Sequence, residues 1–413
     1  MVEMESRELE VVVGTYEELI LGYRLSLDPD NHVFSQSFTN HSHSGSIKAL
    51  AMSTKGILAS GGTDETIRVF NLRKGTEIGS LVHHSGSITW LDFYNNSHLF
   101  STSEDHKVCL WKTFSWECLR TFKGHKDAVN CIAVHPSGKL ALTVGKDRAL
   151  HTWNLVRGRS AYITNIKQAA DIVLWSPDGT RFLIVFSNRI DIYKTETSSV
   201  YHSVSVDRRV NAAVFLRSNV IAYGGEGGDI VIYNIKDEKE LQRISTDTVR
   251  VRHLTKVKTT DNDCPLVLLS ASSCGHIKAF KVTFSQDSVS ADLMASHDTK
   301  FRLTCMAATQ IKMKTKVKRE VGDVDIKAED ACDLDDSVEI KTEKTSDEEE
   351  EGEDSSEQDS GHEEDTSSDS SKEERSGKQS RSYLEFKRAK KLKRKMEAGE
   401  VGGGGKEEEK AQG

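Results

Sequence analysis

An internal repeat with a period close to 41 residues limits the folds open to this chain. Three segments, spanning residues 58–71, 99–111 and 140–154, each contain a short apolar strand, a tight turn with an aspartate, a second strand and a closing aromatic residue. The turn aspartates Asp64, Asp105 and Asp147 are 41 and then 42 residues apart. One four-stranded propeller blade occupies roughly 40–45 residues, so this period predicts an all-β propeller.

The closing aromatic residue gives the number of blades. It recurs at spacings of 41, 42, 40, 40 and 47 residues, as Phe70, Trp111, Trp153, Tyr193, Tyr233 and Phe280. Residues 10–23 repeat the strand-turn-strand pattern without an inner strand, whereas residues 302–308 resemble an inner strand without a blade. We therefore predict a seven-bladed β-propeller over residues 1–310. Pairing of its N- and C-terminal strands closes the ring and leaves no exposed sheet edge.

The third repeat predicts the strands of one blade most clearly. The expected strands are Val129–Val134, Leu140–Val144, Ala149–Asn154 and Ala161–Ile163, with a turn at residues 135–138 fixed by its proline and glycine. The 47-residue spacing in the sixth repeat predicts a long loop over residues 255–265.

A histidine, a hydroxyl, an aspartate and a tryptophan recur with the blades. The sets are His125, Thr143, Asp147 and Trp153; His84, Asp105 and Trp111; and His43 and Asp64, where Phe70 cannot donate a hydrogen bond. Such residues could form a hydrolase triad, but a triad has no reason to recur with the fold period. The pattern instead predicts buried hydrogen-bond networks that join the strands of each blade, and no catalytic residue.

The remaining motifs indicate neither a cofactor nor a small-molecule substrate. The run Gly224–Asp229 lacks the ending of a phosphate-binding loop and leads into a strand, which favours a hairpin turn. Seven scattered cysteines contain no C-x-x-C pair and no histidine at ligand spacing, so we expect no disulfide framework and no metal site. No apolar run approaches the ~20 residues that span a bilayer, and residues 1–10 do not form a secretory signal. We expect a soluble, intracellular protein.

Loops on the rigid ring are the expected partner-binding sites. The loops at the narrow end of the propeller contain Asp64 and five basic candidates for contact with a partner: Lys107, Lys126, Arg148, Arg208 and Arg209.

Residues 311–413 have a composition that predicts a disordered charged tail. They contain 21 Lys and Arg against 31 Asp and Glu, and the acidic, Ser-rich part spans residues 343–374. Five hydroxyls there have an acidic residue three positions later, as acid-directed kinases require: Ser346, Ser356, Ser360, Thr366 and Ser370. The acidic part could also be a solvating tail without regulation.

A basic cluster follows at residues 387–395. It contains seven basic residues in nine: Lys387, Arg388, Lys390, Lys391, Lys393, Arg394 and Lys395. Such a cluster is typical of a nuclear or nucleolar signal and of contact with RNA phosphates, and the two roles are compatible. It could also serve only as a counter-charge for the acidic segment.

The repeats with Gly-His, Asp and Trp-Asn resemble the WD-repeat superfamily over about 300 residues. The opening Glu-Val-Val-Val-Gly-Thr-Tyr-Glu and the acidic and basic tail more narrowly resemble the p21-activated protein kinase-interacting protein 1 family. This resemblance implies a nucleolar protein, monomeric within larger complexes, that acts in pre-rRNA processing and large ribosomal subunit assembly. It also implies binding to the regulatory region of p21-activated protein kinase, which holds the kinase inactive.

The residues themselves indicate only a nuclear scaffold. A generic adaptor, such as a ubiquitin-ligase substrate receptor or a chromatin reader, would use the same propeller, since fold does not fix function. An enzyme is disfavoured because every candidate catalytic set recurs with the blades.

Overall fold

The computed structural model describes residues 8–28, 32–259, 266–285 and 288–310. These residues form 28 β-strands in seven four-stranded antiparallel sheets, and this part of the chain contains no helix. The predicted seven-bladed propeller is thereby confirmed. The acidic segment 343–374, with its five candidate phosphorylation sites, and the basic cluster 387–395 lie outside the described residues.

The strands follow one another along the chain, four to a blade. The chain begins in blade 7 with β1 (Glu8–Thr15), β2 (Ile20–Ser26) and β3 (Phe34–Asn40). Blade 1 contains β4 (Ile47–Met52), β5 (Ile57–Gly62), β6 (Thr66–Asn71) and β7 (Thr76–Val82). Blade 2 contains β8 (Ile88–Tyr94), β9 (His98–Ser103), β10 (Lys107–Lys112) and β11 (Glu117–Lys123). Blade 3 contains β12 (Val129–Val134), β13 (Leu140–Gly145), β14 (Ala149–Asn154) and β15 (Arg159–Asn165).

The second half of the ring repeats this order. Blade 4 contains β16 (Ile172–Trp175), β17 (Arg181–Val185), β18 (Arg189–Lys194) and β19 (Ser199–Ser205). Blade 5 contains β20 (Val210–Arg217), β21 (Val220–Gly225), β22 (Asp229–Asn234) and β23 (Lys239–Ser245). Blade 6 contains β24 (Val251–Lys258), β25 (Leu266–Ser272), β26 (His276–Phe284) and β27 (Val289–Asp298). The last strand, β28 (Leu303–Gln310), is the inner strand of blade 7.

The two ends of the described chain close the ring as the sequence predicts. Strand β28 pairs antiparallel with β1, from Leu9 opposite Gln310 to Thr15 opposite Leu303. It also packs between the inner strands β24 and β4 of the neighbouring blades. Pairing satisfies the backbone groups of β1 that would otherwise form an exposed edge.

Burial explains why these segments form strands. The second strand of each blade lies between two neighbouring blades, and β21 is buried at every position. Outermost strands such as β15 are almost entirely exposed, and β15 mixes polar residues with the exposed Tyr162 and Ile163. Apolar side chains of adjacent blades pack face to face, as Ile132 and Trp153 do with Phe100 and Phe122.

Two predicted boundaries need correction. Strand β15 is longer than residues 161–163 because it follows β14 to Asn165, which pairs with Ala149. The predicted loop over residues 255–265 is wrong at its start, since β24 continues to Lys258 opposite Leu266. Val257 in this stretch is buried in the core, and that burial favours strand over loop.

The antiparallel order brings two kinds of loop to the same end of the ring, which we call the top face. They are the turns between the second and third strands and the linkers to the inner strand of the next blade. Within the described ranges, no helix of a length and apolarity suited to crossing a membrane is found.

Candidate functional site

A hydrogen-bond network in blade 3 joins the linker and the turn on its top face to its second and third strands. The Trp153 indole N–H donates to Thr143 Oγ1 at 2.8 Å, and Thr143 Oγ1 lies 2.7 Å from His125 Nε2. The other ring nitrogen, His125 Nδ1, lies 2.8 Å from the Asp147 carboxylate. The indole uses its only donor on Thr143, so the Thr143 hydroxyl donates to Nε2 and the Nδ1–H donates to Asp147.

Blades 1 and 2 contain the same arrangement. His84 contacts Asp105 at 3.1 Å and Ser101 Oγ at 2.8 Å, and the Trp111 indole donates to the same serine. In blade 1 the chain is shorter, because His43 contacts Asp64 and Ser60 while Phe70 offers no donor. The two serines were not predicted, although each stands four residues before the turn aspartate, as Thr143 does.

Burial favours the neutral imidazole in His43 and His125. It is the main cause of the lowered pKa of His125, which outweighs the opposing effect of Asp147. Burial alone would raise the pKa of Asp147, but hydrogen bonds from the Lys126 amide and from His125 outweigh it and hold that pKa below its usual range. The pair is therefore a neutral imidazole donating to a carboxylate at pH 7.

The networks cannot perform hydrolysis. Thr143, His125 and Asp147 touch one another in the order of a catalytic triad, but Thr143 and the serines of blades 1 and 2 are fully buried. No substrate atom can reach a hydroxyl in that position.

Two groups of side chains bring possible metal-ligand atoms close together, although the sequence indicates no metal site. Cys109, Cys118 and His83 place their donor atoms within 4.8 Å of one another, because β11 follows β10 closely and the linker before β8 folds over both. The spacing of cysteines and histidines in the sequence does not indicate this cluster, because its members meet only through folding. Two thiols and an imidazole could hold a thiophilic cation. In blade 3, His125, Asp147 and His151 also place their donor atoms within 4.8 Å of one another, and the His151 ring lies between those of His125 and Trp153.

The predicted partner-binding residues lie in two separate sectors of the top face. Lys126 and Arg148 are exposed on blade 3, and Lys107 on blade 2 lies 3.3 Å from Asp105. Arg208 and Arg209 stand on the linker before blade 5, where Arg209 pairs with Asp171 at 2.9 Å. Asp64 is unsuited to partner contact, because its side chain is 7% exposed and its carboxylate binds His43 and two backbone amides.

Two arginines outside the predicted set, Arg250 and Arg302, occupy the same position beside the central channel as the predicted Arg209. Arg209, Arg250 and Arg302 each occupy the position just before an inner strand, in blades 5, 6 and 7. The backbone carbonyl of each accepts a hydrogen bond from the residue that follows the second strand of its own blade. The same position in blades 1 to 3 holds Ser46, Ser87 and Ala128. An alignment of the inner strands would have revealed this one-sided charge.

Comparison with known proteins agrees with the repeats and identifies the family. The model described as "WD domain, G-beta repeat" matches residues 33–71, 75–112 and 116–154. A protein of Xenopus laevis, "p21-activated protein kinase-interacting protein 1-like", is 39% identical over 300 residues, which cover 73% of this chain and 82% of that protein. The human "p21-activated protein kinase-interacting protein 1" is 34% identical over 305 residues, with coverage of 72% and 76%.

The chain belongs to the p21-activated protein kinase-interacting protein 1 family. A more distant relative is the "Shk1 kinase-binding protein 15" of Schizosaccharomyces pombe, which is 28% identical over 348 residues, or 82% of this chain and 93% of that protein.

The repeat model matches where this family member has its histidine networks. The three matches contain His43 with Asp64, His84 with Asp105, and His125 with Asp147. Blades 4 to 7 fold alike without these pairs, so apolar packing and strand pairing suffice there.

Proposed function

We propose that this protein is a non-enzymatic scaffold of the nucleolus that acts in large ribosomal subunit assembly and pre-rRNA processing. We also propose that it binds p21-activated protein kinase and restrains it. Membership of the family carries the proposal, since the similarity to the frog protein extends over 300 residues, about the length of the ring. Neither role requires a cofactor or a small-molecule substrate.

The ring has the properties of a binding platform. Seven paired sheets fix its loops, and closure through β28 leaves the inner strands no freedom to separate. The hydroxyls nearest to a catalytic arrangement are buried, whereas basic side chains on the top face are exposed. Binding sites are commonly carried by loops on rigid scaffolds of this kind.

The assembly role is tested by depletion. Loss of the protein should lower the yield of large-subunit rRNA and raise its precursors in pulse-labelled cells, with small-subunit rRNA unchanged. Re-expression of the full chain should restore processing. Normal maturation of both rRNAs after complete depletion would exclude the role.

The kinase role is supported by the names of relatives. The human protein is named as interacting with p21-activated kinase, and the fission-yeast protein as binding the Shk1 kinase. The purified full chain should bind the regulatory region of a p21-activated kinase and lower activity of the whole kinase toward a substrate peptide. Kinase lacking that region is the control. Equal effects on both kinases would contradict the proposal.

The basic cluster is proposed to retain the protein in the nucleolus through RNA phosphates. Changing the seven basic residues of 387–395 to glutamine should release it while leaving the propeller folded. RNA affinity should fall steeply with salt, since each phosphate contact contributes about one unit of slope in log K against log salt. Glutamate at the five candidate phosphorylation sites should weaken RNA binding further. Unchanged localisation of the glutamine variant would assign retention to the propeller.

The generic adaptor is the competing function. Affinity purification of the tagged chain should recover pre-rRNA and assembly factors on our proposal. Recovery of ubiquitin-ligase subunits or nucleosomes without pre-rRNA would favour the adaptor.

A further inference from the structure

Positive charge at the top opening of the central channel is concentrated on one side. Arg209, Arg250 and Arg302 stand on the rim of three consecutive blades. A fourth guanidinium, that of Arg252, belongs to the second residue of the inner strand β24. We call these four residues the arginine sector.

Arg252 departs from a pattern that four other blades share, as does Lys48, the second residue of β4 in blade 1. At the equivalent second position, Thr89, Asn130 and Asn211 each donate to a backbone carbonyl of the next blade: those of Val129, Ala170 and Val251. Thr304 in blade 7 does the same with Ile47. Arg252 makes no hydrogen bond or ion pair with any residue that the structure describes, so its guanidinium serves no link between blades.

The sector has more donors than its own acceptors can satisfy. Arg209 pairs with Asp171 at 2.9 Å and Arg250 with Glu226 at 3.1 Å. The Arg302 amide donates to Glu17 at 3.4 Å, but the Arg302 guanidinium has no carboxylate partner among the described residues. The Nε of Arg250 is buried and lacks a hydrogen-bond acceptor within the same ranges. Burial first, and then the charges of Arg250, Arg302 and Arg209, lower the pKa of Arg252. A bound anion would relieve the repulsion among these guanidinium groups.

Apolar side chains alternate with these arginines. Val249 is 77% exposed beside Arg250, Phe301 is 36% exposed beside Arg302, and Tyr16 lies under the Arg302 guanidinium at 5.3 Å. A pocket of about 540 Å³ opens between Val249, Arg250 and Arg208. Guanidinium groups bind carboxylates with two parallel hydrogen bonds, and the intervening apolar surface suits an aliphatic or aromatic side chain.

We propose that the arginine sector binds a short, extended acidic segment of a partner protein, with its carboxylates on Arg252 and Arg302 and an apolar side chain against Val249 and Phe301. RNA fits less well, because the exposed apolar side chains of Val249 and Phe301 offer its phosphates no hydrogen-bond donor. The inference rests on the proposed function only in that the ligand is a protein. A synthetic peptide tests it independently of the ribosome and the kinase.

The probe is a fluorescein-labelled ten-residue peptide in which glutamates alternate with leucines, measured by fluorescence anisotropy with the full chain in 150 mM salt. The same peptide with glutamine in place of glutamate should not bind. The double variant R252Q/R302Q should weaken binding at least tenfold, as expected for two lost charge-assisted contacts. The matched control K123Q/K167Q removes the same charge from two exposed lysines, at the end of β11 and in the linker before blade 4, and should change affinity less than about twofold.

A second variant covers the case in which R252Q/R302Q fails to fold. Val249→Asp changes an exposed side chain, so the ring should fold normally, yet its carboxylate should repel the peptide and weaken binding about tenfold. Failure of the glutamate peptide to bind would overturn the proposal. Equal losses in the sector and control variants would also overturn it, as nonspecific attraction. Two further results would overturn the proposal. One is binding of an oligouridine probe, but not of the peptide, that depends on the sector arginines. The other is complete displacement of the peptide by 5 mM inorganic phosphate.

Discussion

Replacing Asp147 with alanine removes the carboxylate on which the blade 3 network ends. That carboxylate accepts hydrogen bonds from His125 Nδ1 at 2.8 Å, from the Lys126 amide at 3.0 Å and from the Ala149 amide at 3.2 Å. In the variant, water can replace the lost carboxylate at the exposed Lys126 amide. Water cannot reach His125, whose side chain is 1% exposed. A stranded buried donor costs ~1–3 kcal/mol, and the turn amides add a smaller amount, so we expect a loss of about 3 kcal/mol.

Urea unfolding of the full chain at pH 7.4 measures this loss. Asp207→Ala is the matched control, because Asp207 is an exposed aspartate in another linker, and we expect it to change stability by less than about 0.5 kcal/mol. A double-mutant cycle with His125→Leu should show that the two losses are not additive, with a coupling of about 1–2 kcal/mol. Equal midpoints for the Asp147 and Asp207 variants, or strictly additive losses, would refute the network.

Further predictions concern ring closure, acid stability and thiol reactivity. A chain ending at Phe301 lacks β28 and should aggregate or melt well below the full chain, whereas an unchanged monomer with an unchanged melting temperature would contradict closure through this strand. Burial lowers the pKa of His151 to about 4, so the unfolded chain takes up a proton more readily as pH falls below about 6.5 and native stability is lost. Between pH 7.5 and 5.5 this loss of stability is about 1.4 kcal/mol. The urea midpoint of the parent chain should therefore fall more over this pH range than that of the His151→Phe variant. Parallel pH profiles of the two midpoints would show that His151 is not buried as described. Hydrogen bonds from Cys109 and His83 lower the pKa of Cys118, so iodoacetamide should label Cys118 at pH 7 faster in the parent chain than in the His83→Ala variant. Labelling of the exposed Cys274 is the internal control. Equal rates of Cys118 labelling in the two chains would disprove the His83 contact.

Features that repeat with the blades could be predicted from the sequence. The spacing of Asp64, Asp105 and Asp147 indicated the blade period, and the inner-strand pattern at residues 302–308 indicated how the ring closes. Both are local signals that recur, so a single degenerate copy does not hide them.

Features that depend on contacts between blades or on burial could not be predicted. Strand β24 extends through Thr255–Lys258 because neighbouring side chains bury Val257, which the loop-like composition of the stretch conceals. Cys118 and His83 meet only after a linker folds over two strands. Arg252 differs from its equivalents only once the inner strands are aligned, since an isolated arginine in a strand carries no signal of its own.

The proposed place of this scaffold in large ribosomal subunit assembly is tested most directly by sedimentation. A nuclear extract containing the tagged full chain is separated on a sucrose gradient, with RNase treatment of half the sample as the control. We predict that the protein migrates with particles containing large-subunit rRNA precursors and shifts to the top of the gradient after RNase treatment. A protein that remains at the top in both samples, away from those precursors, would contradict the proposed role.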